Sequence, residues 1–500
     1  MLGVASVFFF LLTATIASQF DASMYPSPDE TAASVFAKRI AVGESMPIAE
    51  PSNQHLEQIV HPRSTTVVGA TIVPQGFPLQ FFLWGWLTRL SGLPIWVWTP
   101  VLAALSLPVL FALFRLVFPT RIAFTATLLA FVHPAVLYYT SRGLYPNAPQ
   151  LFVLFWSLWF LASSKPWKWA VGGALLALAI AFRPSEILWM SIVAAFVVSV
   201  QRQRLTPYHL FAGALGFLGV AGLAFSFYRA VYGAALIGYR VPRATNASIH
   251  FGISSAGAIL RHAWDYLAVL FWWLTIPAAG GLVALLRTQQ ISNVQVRRYG
   301  MFFCAVAIPL LLLYGSWDLR DSVSEQSITI GTSFVRYWLP LSILALPLIV
   351  YGLEQIRAHS VLLCLLLLAS LLYPTVWGFE SLARDIGVSQ QDALLRDEAK
   401  TVLPAHAVLL LERSDKIFWP TYPVIVGALE PEKVLHLLPR VAASTPVYLH
   451  RVSSLSFGSF WNAEHLGSVG LAFGQPIALD ADNELIPLVP LQLDFKSAEN

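Results

Sequence analysis

The sequence contains little charge and almost no cysteine. Of its 500 residues, 12% are charged and 57% are hydrophobic, whereas an ordinary soluble domain has about 25% charged residues. This charge is too sparse for a soluble globular enzyme, a disordered chain or a basic nucleic-acid-binding surface. The two cysteines, Cys304 and Cys364, both lie in apolar runs, which fits neither a disulfide framework nor a metal site. The composition indicates an α-helical polytopic membrane protein.

Eleven apolar stretches are suited to crossing a bilayer as helices, although two of them are short. The first stretch also fits a signal peptide, but no Lys or Arg precedes it. Either alternative places the residues that follow it outside. The predicted spans are 2–18, 96–116, 122–141, 148–163, 169–182, 185–201, 209–231, 264–287, 300–315, 337–353 and 360–376.

The segment 77–91 is apolar but short, and it contains Arg89. If this segment does not span, the short connectors on one side of the membrane hold only Arg142 and Arg183, and most basic residues lie on the other side. Because Lys and Arg mark cytoplasmic loops, we predict that 77–91 is an interfacial helix on the outer face. The connectors assigned to the inside then hold Arg115, Arg121, Lys165, Lys168, Arg202, Arg204, Arg287, Arg297, Arg298 and Arg357.

This topology predicts two domains. Residues 1–379 would form a transmembrane domain whose first external loop, 21–95, contains interfacial helices. Residues 380–500 are less apolar and richer in charge, which predicts a small extracytoplasmic α/β domain. Its expected elements are strands at 408–411, 424–426 and 447–449 and an amphipathic helix at 431–443.

Two adjacent carboxylates, Asp29 and Glu30, stand near the start of the first external loop. Ser27 and Glu30 have the spacing of a capping box and Pro28 suits the first helical position, so the pair could simply stabilise a helix start. Alternatively, the pair could deprotonate an acceptor or hold a divalent cation, Mg²⁺ or Mn²⁺. The helix that follows would carry an apolar stripe, suited to lying on the membrane, at Val35, Phe36 and Ile40.

Several short motifs carry a resemblance to a known family. They are the Asp29-Glu30 pair, then Phe77-Pro78-Leu79-Gln80, then Tyr139-Thr140-Ser141-Arg142 with Asn147-Ala148-Pro149, and finally Arg336-Tyr337 with Pro340. In this order, over about 20–350, they resemble the GT-C glycosyltransferases, nearest to the protein O-mannosyltransferase and aminoarabinose-transferase branch. The resemblance implies a GT-C fold. It also implies an enzyme that moves a sugar from a polyprenyl-phosphate donor to a lipid, glycan or protein acceptor on the outer face of the membrane.

The chain departs from this family at three places. Asn147 stands where the family has Asp, which removes a carboxylate from the second external loop. Phe77 replaces the first proline of a Pro-Pro pair, and Gln75 and Gly76 lack the charge found in aminoarabinose transferases. These departures bear on the sugar and the acceptor more than on the reaction class.

The resemblance and the chemistry together suggest roles for the site residues. Asp29 would be the base for the acceptor hydroxyl, and Glu30 would orient the acceptor or a cation. Arg142 and Arg336 would bind the donor phosphate, because Arg can hold phosphate through two parallel donors. Each arginine could instead be an interfacial side chain that reaches lipid head groups. The further substrate-binding candidates are Asn147, Tyr145, Tyr337 and His61.

Other polar residues have weaker claims to function. Arg183 and Glu186 could pair with each other or touch the donor, and the structural role is favoured. His133 is predicted to be a core histidine. Asp318, Asp321 and Glu325 would be an acidic solvated face and a reserve of cation ligands. Asn246-Ala247-Ser248 is a glycosylation sequon.

Two other functions remain open at this stage. One is a transporter or flippase for a lipid-linked glycan, although the internal repeat typical of transporters is not found. The other is a non-catalytic assembly subunit that uses 380–500 as its interaction module. The expected setting is a multi-pass protein of a bacterial inner or plasma membrane, with membrane lipids as partners and no nucleic acid.

Overall fold

The computed structural model describes residues 1–22, 24–238, 256–287, 294–317, 328–354, 361, 365–366, 368–369, 372, 374–452 and 460–491. Predictions at Asp318, Asp321, Glu325, Asn246 and Cys364, and most of the expected span 360–376, lie outside these residues. The chain forms two compact units. The first contains Met1–Gln19, Phe77–Tyr228 and Ser248–Asp385, and the second contains Phe20–Gly76, Arg229–Ala247 and Ile386–Asn500.

The described residues are mostly helical. The helices are α1 (Leu2–Ala22), α2 (Pro28–Ala41), α3 (Leu79–Ser91), α4 (Trp98–Phe114), α5 (Thr120–Val132), α6 (Pro134–Ser141), α7 (Asn147–Leu161), α8 (Pro166–Phe182), α9 (Ile187–Val200), α10 (Pro207–Tyr232), α11 (Ala256–Ala263), α12 (Trp272–Arg287), α13 (Val294–Gly315), α14 (Ser333–Tyr337), α15 (Leu339–Glu354), α16 (Phe379–Val402), α17 (Asp415–Phe418), α18 (Pro431–Ala442) and α19 (Ala463–Ser468). The strands are β1 (Ile48–Ala49), β2 (Thr65–Val68), β3 (Thr71–Pro74), β4 (Val408–Leu411), β5 (Val424–Val426), β6 (Val447–Val452), β7 (Leu471–Phe473), β8 (Ile477–Ala478) and β9 (Asn483–Pro490).

Among the described residues, four helices are long and apolar enough to cross a membrane, or up to seven if each of three bent pairs forms one span. The chain is therefore an integral membrane protein, but the expected count of eleven spans is not confirmed. One reason is that the stretch 122–141 is broken by 52° between α5 and α6. Pro134, the first residue of α6, cannot donate the backbone hydrogen bond that a continuous helix needs. The other bent pairs are Pro166–Phe182 with Pro184–Val200, at 115°, and Ala256–Leu270 with Trp272–Arg287, at 101°.

Helix α3 falls within the segment expected to lie on the membrane surface. It has 13 residues, which is too short to cross a hydrocarbon core about 30 Å thick. One part of its surface buries Phe81 and Trp84, whereas Trp86 and Leu90 are exposed. The helix ends at Gly92, whose φ of 73° is readily adopted only by glycine. The helix is confirmed, and its place at the outer membrane surface stays a prediction.

Helices α8 and α10 of the first unit cross closely at glycines. A Cβ built on Gly216 would lie 1.9 Å from the backbone oxygen of Ala170, and one built on Gly173 would lie 2.0 Å from that of Gly213. No side chain fits in such a gap, so the glycines allow the two backbones to approach. Small residues at helix crossings serve the same purpose in other membrane proteins.

The second unit contains two sheets. In the smaller sheet β3 pairs antiparallel with both β1 and β2. In the larger sheet, ordered β5-β4-β6-β9-β7 with β8 beside β9, the strand β4 is parallel to β5 and β6 and the other pairs are antiparallel. The predicted strands at 408–411 and 424–426 are confirmed, the third extends to Val452, and the predicted helix is α18.

The core of the second unit is built from both ends of the chain. Leu56, Ile59 and Val60, from the first external loop, belong to the same buried cluster as the apolar face of α18 and the strands of the larger sheet. The backbone of Val60 also forms an isolated β-bridge with Ile425 in β5. Residues 20–76 therefore fold with the C-terminal residues.

The apolar stripe of α2 has a protein partner. We expected Phe36 and Ile40 to face the membrane, but they are 0% and 4% exposed. The ring of Phe36 lies 6.0 Å from that of Trp419, which follows α17. Burial within the protein removes this apolar surface from water just as a bilayer would, so the pattern alone could not separate the two.

Candidate functional site

Asp29 lies in the first turn of α2. Ser27 is the N-cap, and its hydroxyl accepts a hydrogen bond of 3.3 Å from the backbone N–H of Asp29, while Pro28 takes the first helical position. The predicted helix start is therefore confirmed. Glu30 is fully buried, whereas Asp29 is exposed. Of the two carboxylates, that of Asp29 is the one accessible to an acceptor.

A second serine contacts the Asp29 carboxylate. The hydroxyl of Ser64 donates a hydrogen bond of 2.5 Å to Oδ1 of Asp29. Ser64 has a positive φ of 59°, a left-handed conformation that is uncommon for residues other than glycine. The serine stands between Arg63 and the first residue of β2.

Arg63 is held by a buried aspartate in α17. Its backbone N–H donates 2.8 Å to Oδ2 of Asp415, its Nε donates 2.8 Å to Oδ1, and a further guanidinium nitrogen donates to the backbone oxygen of Arg413. Asp415 is 0% exposed. Next to it, Lys416 donates to the backbone oxygen of Pro26, at 3.1 Å, and pairs with Asp392 at 2.8 Å.

His61, a predicted substrate-binding residue, lies in the interior of the second unit. It is 7% exposed, and its Nδ1 lies 2.9 Å from the backbone oxygen of Pro62 and 3.3 Å from Oγ1 of Thr65. Burial lowers the pKa of His61 below its usual value of 6.5. These contacts hold His61 in the interior, in the segment that connects α2 to β2. Its binding role stays a prediction.

In the first unit, three arginines alternate with two tyrosines. The guanidinium carbon of Arg142 lies 5.2 Å from the ring centre of Tyr145, and that of Arg336 lies 4.5 Å from the same ring. Arg336 is also 5.2 Å from the ring of Tyr337, whose ring in turn lies 4.7 Å from the guanidinium carbon of Arg183. We call these five residues the arginine–tyrosine stack. Cation–π contacts of this kind hold guanidinium groups in place without neutralising them.

Two carboxylates stand at the ends of this stack. Arg142 pairs with Asp385 at 2.8 Å, and both contact the hydroxyl of Tyr138. Arg183 pairs with Glu186 at 3.2 Å. Among the described residues, these carboxylates contact the guanidinium groups of Arg142 and Arg183. The stack is suited to binding a phosphate.

The partners of Glu186 show how firmly one end of the stack is held. The carboxylate accepts hydrogen bonds from the hydroxyl of Tyr314 and from the indole N–H of Trp189, in addition to its pairing with Arg183. The rings of Tyr314 and Tyr337 stack with centres 4.5 Å apart. The sequence marked Arg183 and Glu186 as a structural pair, and the structure brings that pair into contact with a predicted binding residue.

Asn147, the first residue of α7, lies beside Arg336. Its Nδ2 is 3.5 Å from the backbone oxygen of Arg336, and its Oδ1 is buried with no hydrogen-bond partner among the described residues. The hydroxyl groups of Thr140 and Ser141 are also buried and have no hydrogen-bond partner among the described residues. Buried polar atoms without partners are costly, and their clustering near Arg142 and Asn147 is typical of a site that a polar ligand completes.

The part of the chain that the structure describes assembles no group of three or more His, Cys, Asp or Glu residues able to hold a metal ion. The buried carboxyl of Glu30 and the amide of Asn147 do not supply such a donor set. The expected Mg²⁺ or Mn²⁺ stays a prediction.

The sequence missed Asp385 and Tyr314, which contact Arg142 and Glu186 in the first unit, and Ser64 and Asp415, which contact Asp29 and Arg63 in the second. Asp385 and Asp415 lie in polar C-terminal segments without a distinctive motif. Ser64 follows the His61-Pro62-Arg63 segment, which was noted only for its histidine. A lone acidic residue facing an apolar or basic partner far along the chain carries no local signal.

Comparison with known proteins bears on the fold. No protein-family model matches the chain, and no curated protein matches it in sequence. The ArnT of Cupriavidus metallidurans, crystallised with undecaprenyl phosphate, matches with a TM-score of 0.58 and 12% identity over 96% of this chain and 97% of its own. An oligosaccharyltransferase of Archaeoglobus fulgidus, crystallised with zinc and sulfate, matches with a TM-score of 0.50 and 12% identity over 94% of this chain and 71% of its own. Both structures support a GT-C fold for this chain.

Proposed function

We propose that this GT-C-fold protein is a glycosyltransferase that moves a sugar from a polyprenyl-phosphate donor to the hydroxyl of a lipid, glycan or protein acceptor. The observation that carries the proposal is the arginine–tyrosine stack, since it gathers three guanidinium groups beside buried polar atoms at the ends of apolar helices. The phosphate of a lipid lies in the head-group region, where the ends of membrane-spanning helices are found. The similarity to an ArnT solved with undecaprenyl phosphate supports this choice of donor.

The proposed reaction is a displacement at the anomeric carbon of the sugar. The acceptor oxygen forms a bond to that carbon, the bond to the phosphate oxygen breaks, and the polyprenyl phosphate leaves with the electron pair. Charge therefore develops on the phosphate, and Arg336 and Arg142 would stabilise it through charge-assisted hydrogen bonds. Asp29 would take the proton of the acceptor hydroxyl. Tyr145 and Tyr337 would hold the guanidinium groups, and Asn147 would contact the donor.

The extracytoplasmic side of a bacterial inner or plasma membrane is the proposed location of this reaction. The support is the distribution of Lys and Arg among the short connectors. Glu30, fully buried behind Asp29, would keep a supporting role in the first turn of α2.

The test is a transfer assay with the full chain purified in detergent. A short-chain polyprenyl phosphate carrying a radiolabelled sugar is incubated with membrane lipids, glycan extracts or peptides, and both labelled product and released polyprenyl phosphate are measured. Release of the lipid phosphate in proportion to labelled product is the expected result. Absence of both with every acceptor class contradicts the proposal.

A second candidate function is movement of a lipid-linked glycan across the membrane. The three bent helix pairs favour it, because broken helices are common in transporters. A flippase leaves the sugar–phosphate bond intact. Translocation of an unchanged lipid-linked glycan in proteoliposomes, without release of polyprenyl phosphate, would therefore favour this alternative.

A further inference from the structure

Ser64 and Asp415 connect the carboxylate of Asp29 to the C-terminal part of the second unit. We propose that Ser64 is a positioning residue for Asp29 and that Asp415 fixes Ser64 in the conformation that this requires. The inference rests on the proposed role of Asp29 as the base. It gives the C-terminal domain a task in the reaction that neither the sequence motifs nor the fold assigns to it.

Asp29 contacts two serines. The Ser64 hydroxyl donates to Oδ1 of Asp29 at 2.5 Å, and the hydroxyl of Ser27 accepts from the backbone N–H of Asp29 at 3.3 Å. One serine thus fixes the backbone and the other fixes the carboxylate group. A short hydrogen bond to an ionised carboxylate is stronger than one between neutral groups.

Ser64 has a left-handed backbone conformation. Its φ of 59° costs free energy for a residue with a Cβ, and such a conformation persists only where the surroundings enforce it. The backbone oxygen of Ser64 accepts a hydrogen bond of 3.0 Å from Gln75, at the end of the β2–β3 hairpin. In this conformation the Ser64 hydroxyl reaches Asp29 across 35 positions of sequence.

Arg63, which precedes Ser64 in the chain, is held by Asp415. Asp415 accepts from both the backbone N–H and the Nε of Arg63, each at 2.8 Å. Arg63 therefore cannot rotate about its backbone without losing two charge-assisted hydrogen bonds to a buried carboxylate. Because Ser64 is bonded to Arg63 in the chain, fixing the backbone of Arg63 also limits the backbone of Ser64. Asp415 thereby determines where the Ser64 hydroxyl lies.

The chemical consequence is a fixed carboxylate plane. A base must lie within hydrogen-bond reach of the proton that it takes, and a displacement of about 1 Å can lower a rate about 100-fold. Asp29 is exposed, and the Ser64 hydroxyl holds Oδ1 of its carboxylate before the acceptor arrives.

The experiment compares Ser64→Gly with the unchanged protein in the transfer assay. Glycine removes the hydroxyl but readily adopts a positive φ, so the melting temperature should stay the same or rise. We expect kcat to fall about 10- to 100-fold, whereas KM for the donor should stay within about twofold. Ser52→Ala is the matched control, because it removes a hydroxyl that donates to another carboxylate of the same loop, that of Glu50, and it should leave kcat unchanged.

Asp415→Asn and Asp29→Asn complete the comparison. Asp415→Asn should lower kcat in the same sense as Ser64→Gly, and the double variant Ser64→Gly/Asp415→Asn should be no slower than the slower single variant, because both act through one contact. A normal kcat for Ser64→Gly alongside a slow Asp29→Asn overturns the positioning role and leaves the proposed function standing. Normal turnover of Asp29→Asn, or no transfer by the unchanged protein, overturns the assignment of the base and this inference together.

Discussion

The guanidinium carbon of Arg336 lies 4.5 Å from the ring centre of Tyr145, in the middle of the arginine–tyrosine stack. A second ring, that of Tyr337, lies 5.2 Å from it, and the hydroxyl of Ser333 accepts from one of its terminal nitrogens at 2.8 Å. The guanidinium group is therefore held by contacts with two rings and a serine hydroxyl. A lysine at this position would keep the charge but lose the planar fork.

Substitution of Arg336 should weaken use of the donor. We expect Arg336→Lys to lower kcat/KM for the donor about 10-fold and Arg336→Ala to lower it about 100- to 1000-fold, because the developing phosphate charge loses a positioned donor. The measurement is transfer rate against concentration of a short-chain donor. Arg89→Ala is the matched control, since Arg89 also lies over an aromatic ring, that of Trp86, but is exposed. Equal rates for Arg336→Ala and Arg89→Ala would remove Arg336 from the site.

Substitution of Asp29 should slow the chemistry without unfolding the protein. Asp29→Asn keeps the size of the side chain, and the N-cap of α2 is provided by Ser27. We expect turnover to fall about 10²- to 10⁴-fold with an unchanged melting temperature. Glu44→Gln, in the same loop and paired only at the surface with Arg39, is the control. If both variants turn over normally, Asp29 only stabilises the start of α2 through its negative charge in the first turn.

Loss of the Glu186 carboxylate should destabilise the first unit. Glu186→Gln leaves the buried guanidinium of Arg183 without its paired charge, and breaking one half of a buried pair costs about 3–5 kcal/mol. The melting temperature in detergent, followed by size-exclusion chromatography after heating, should fall clearly. Glu484→Gln, at a more exposed pair with Arg451, should shift it little. Equal shifts would contradict a structural role for Glu186 in holding the stack.

Bulk at the crossing of α8 and α10 should also destabilise the protein. Gly216→Val places side-chain atoms where a Cβ already lies 1.9 Å from the backbone oxygen of Ala170, so the helices must separate, at a cost of about 3 kcal/mol or more. Gly219→Val lies on the same helix with nothing within 4 Å of its Cβ and serves as the control. We expect the melting temperature to fall strongly for Gly216→Val and little for Gly219→Val. Equal melting temperatures would contradict the prediction.

Stability of the second unit should fall in mild acid because of His450. Burial lowers the pKa of His450 from 6.5 to about 4, so between these values the unfolded chain binds a proton that the folded chain does not. Stability is therefore highest above pH 6.5 and declines as the pH falls toward 4, by about 2 kcal/mol at pH 5. Denaturation from pH 7.5 to 5 should show this slope. It should become shallower in His450→Gln, with a remainder from the buried His61, and persist in full when the exposed His406 is replaced by Gln.

Local features of the fold could be predicted from the sequence. Ser27, Pro28 and the strands around Val408 and Val424 depend on neighbouring residues, so their patterns were sufficient. The fold itself followed from motifs whose order matched a family.

Long-range features could not be predicted. The grouping of residues 20–76 with the C-terminal domain depends on contacts such as that of Arg63 with Asp415. The hydrophobic periodicity of the sequence does not predict such contacts. The membrane-facing expectation for Phe36 failed for a related reason, since a hydrophobic stripe does not state whether lipid or protein covers it. Arg142 and Arg336 were predicted from their motifs, and their binding role stays a prediction. The contacts of Asp385 with Arg142 and of Ser64 with Asp29 became visible only in the structure.

The composition of the second unit also has a consequence for synthesis. Arg63 and Asp415 are 352 positions apart, so at about 5–20 residues per second the first segment waits roughly 20–70 s for the strands that complete its core. During that interval Leu56, Ile59 and Val60 have none of their final partners from the larger sheet. Folding yield should therefore depend on the translation rate and on chaperones that protect an incomplete domain while the helices between its two parts are inserted.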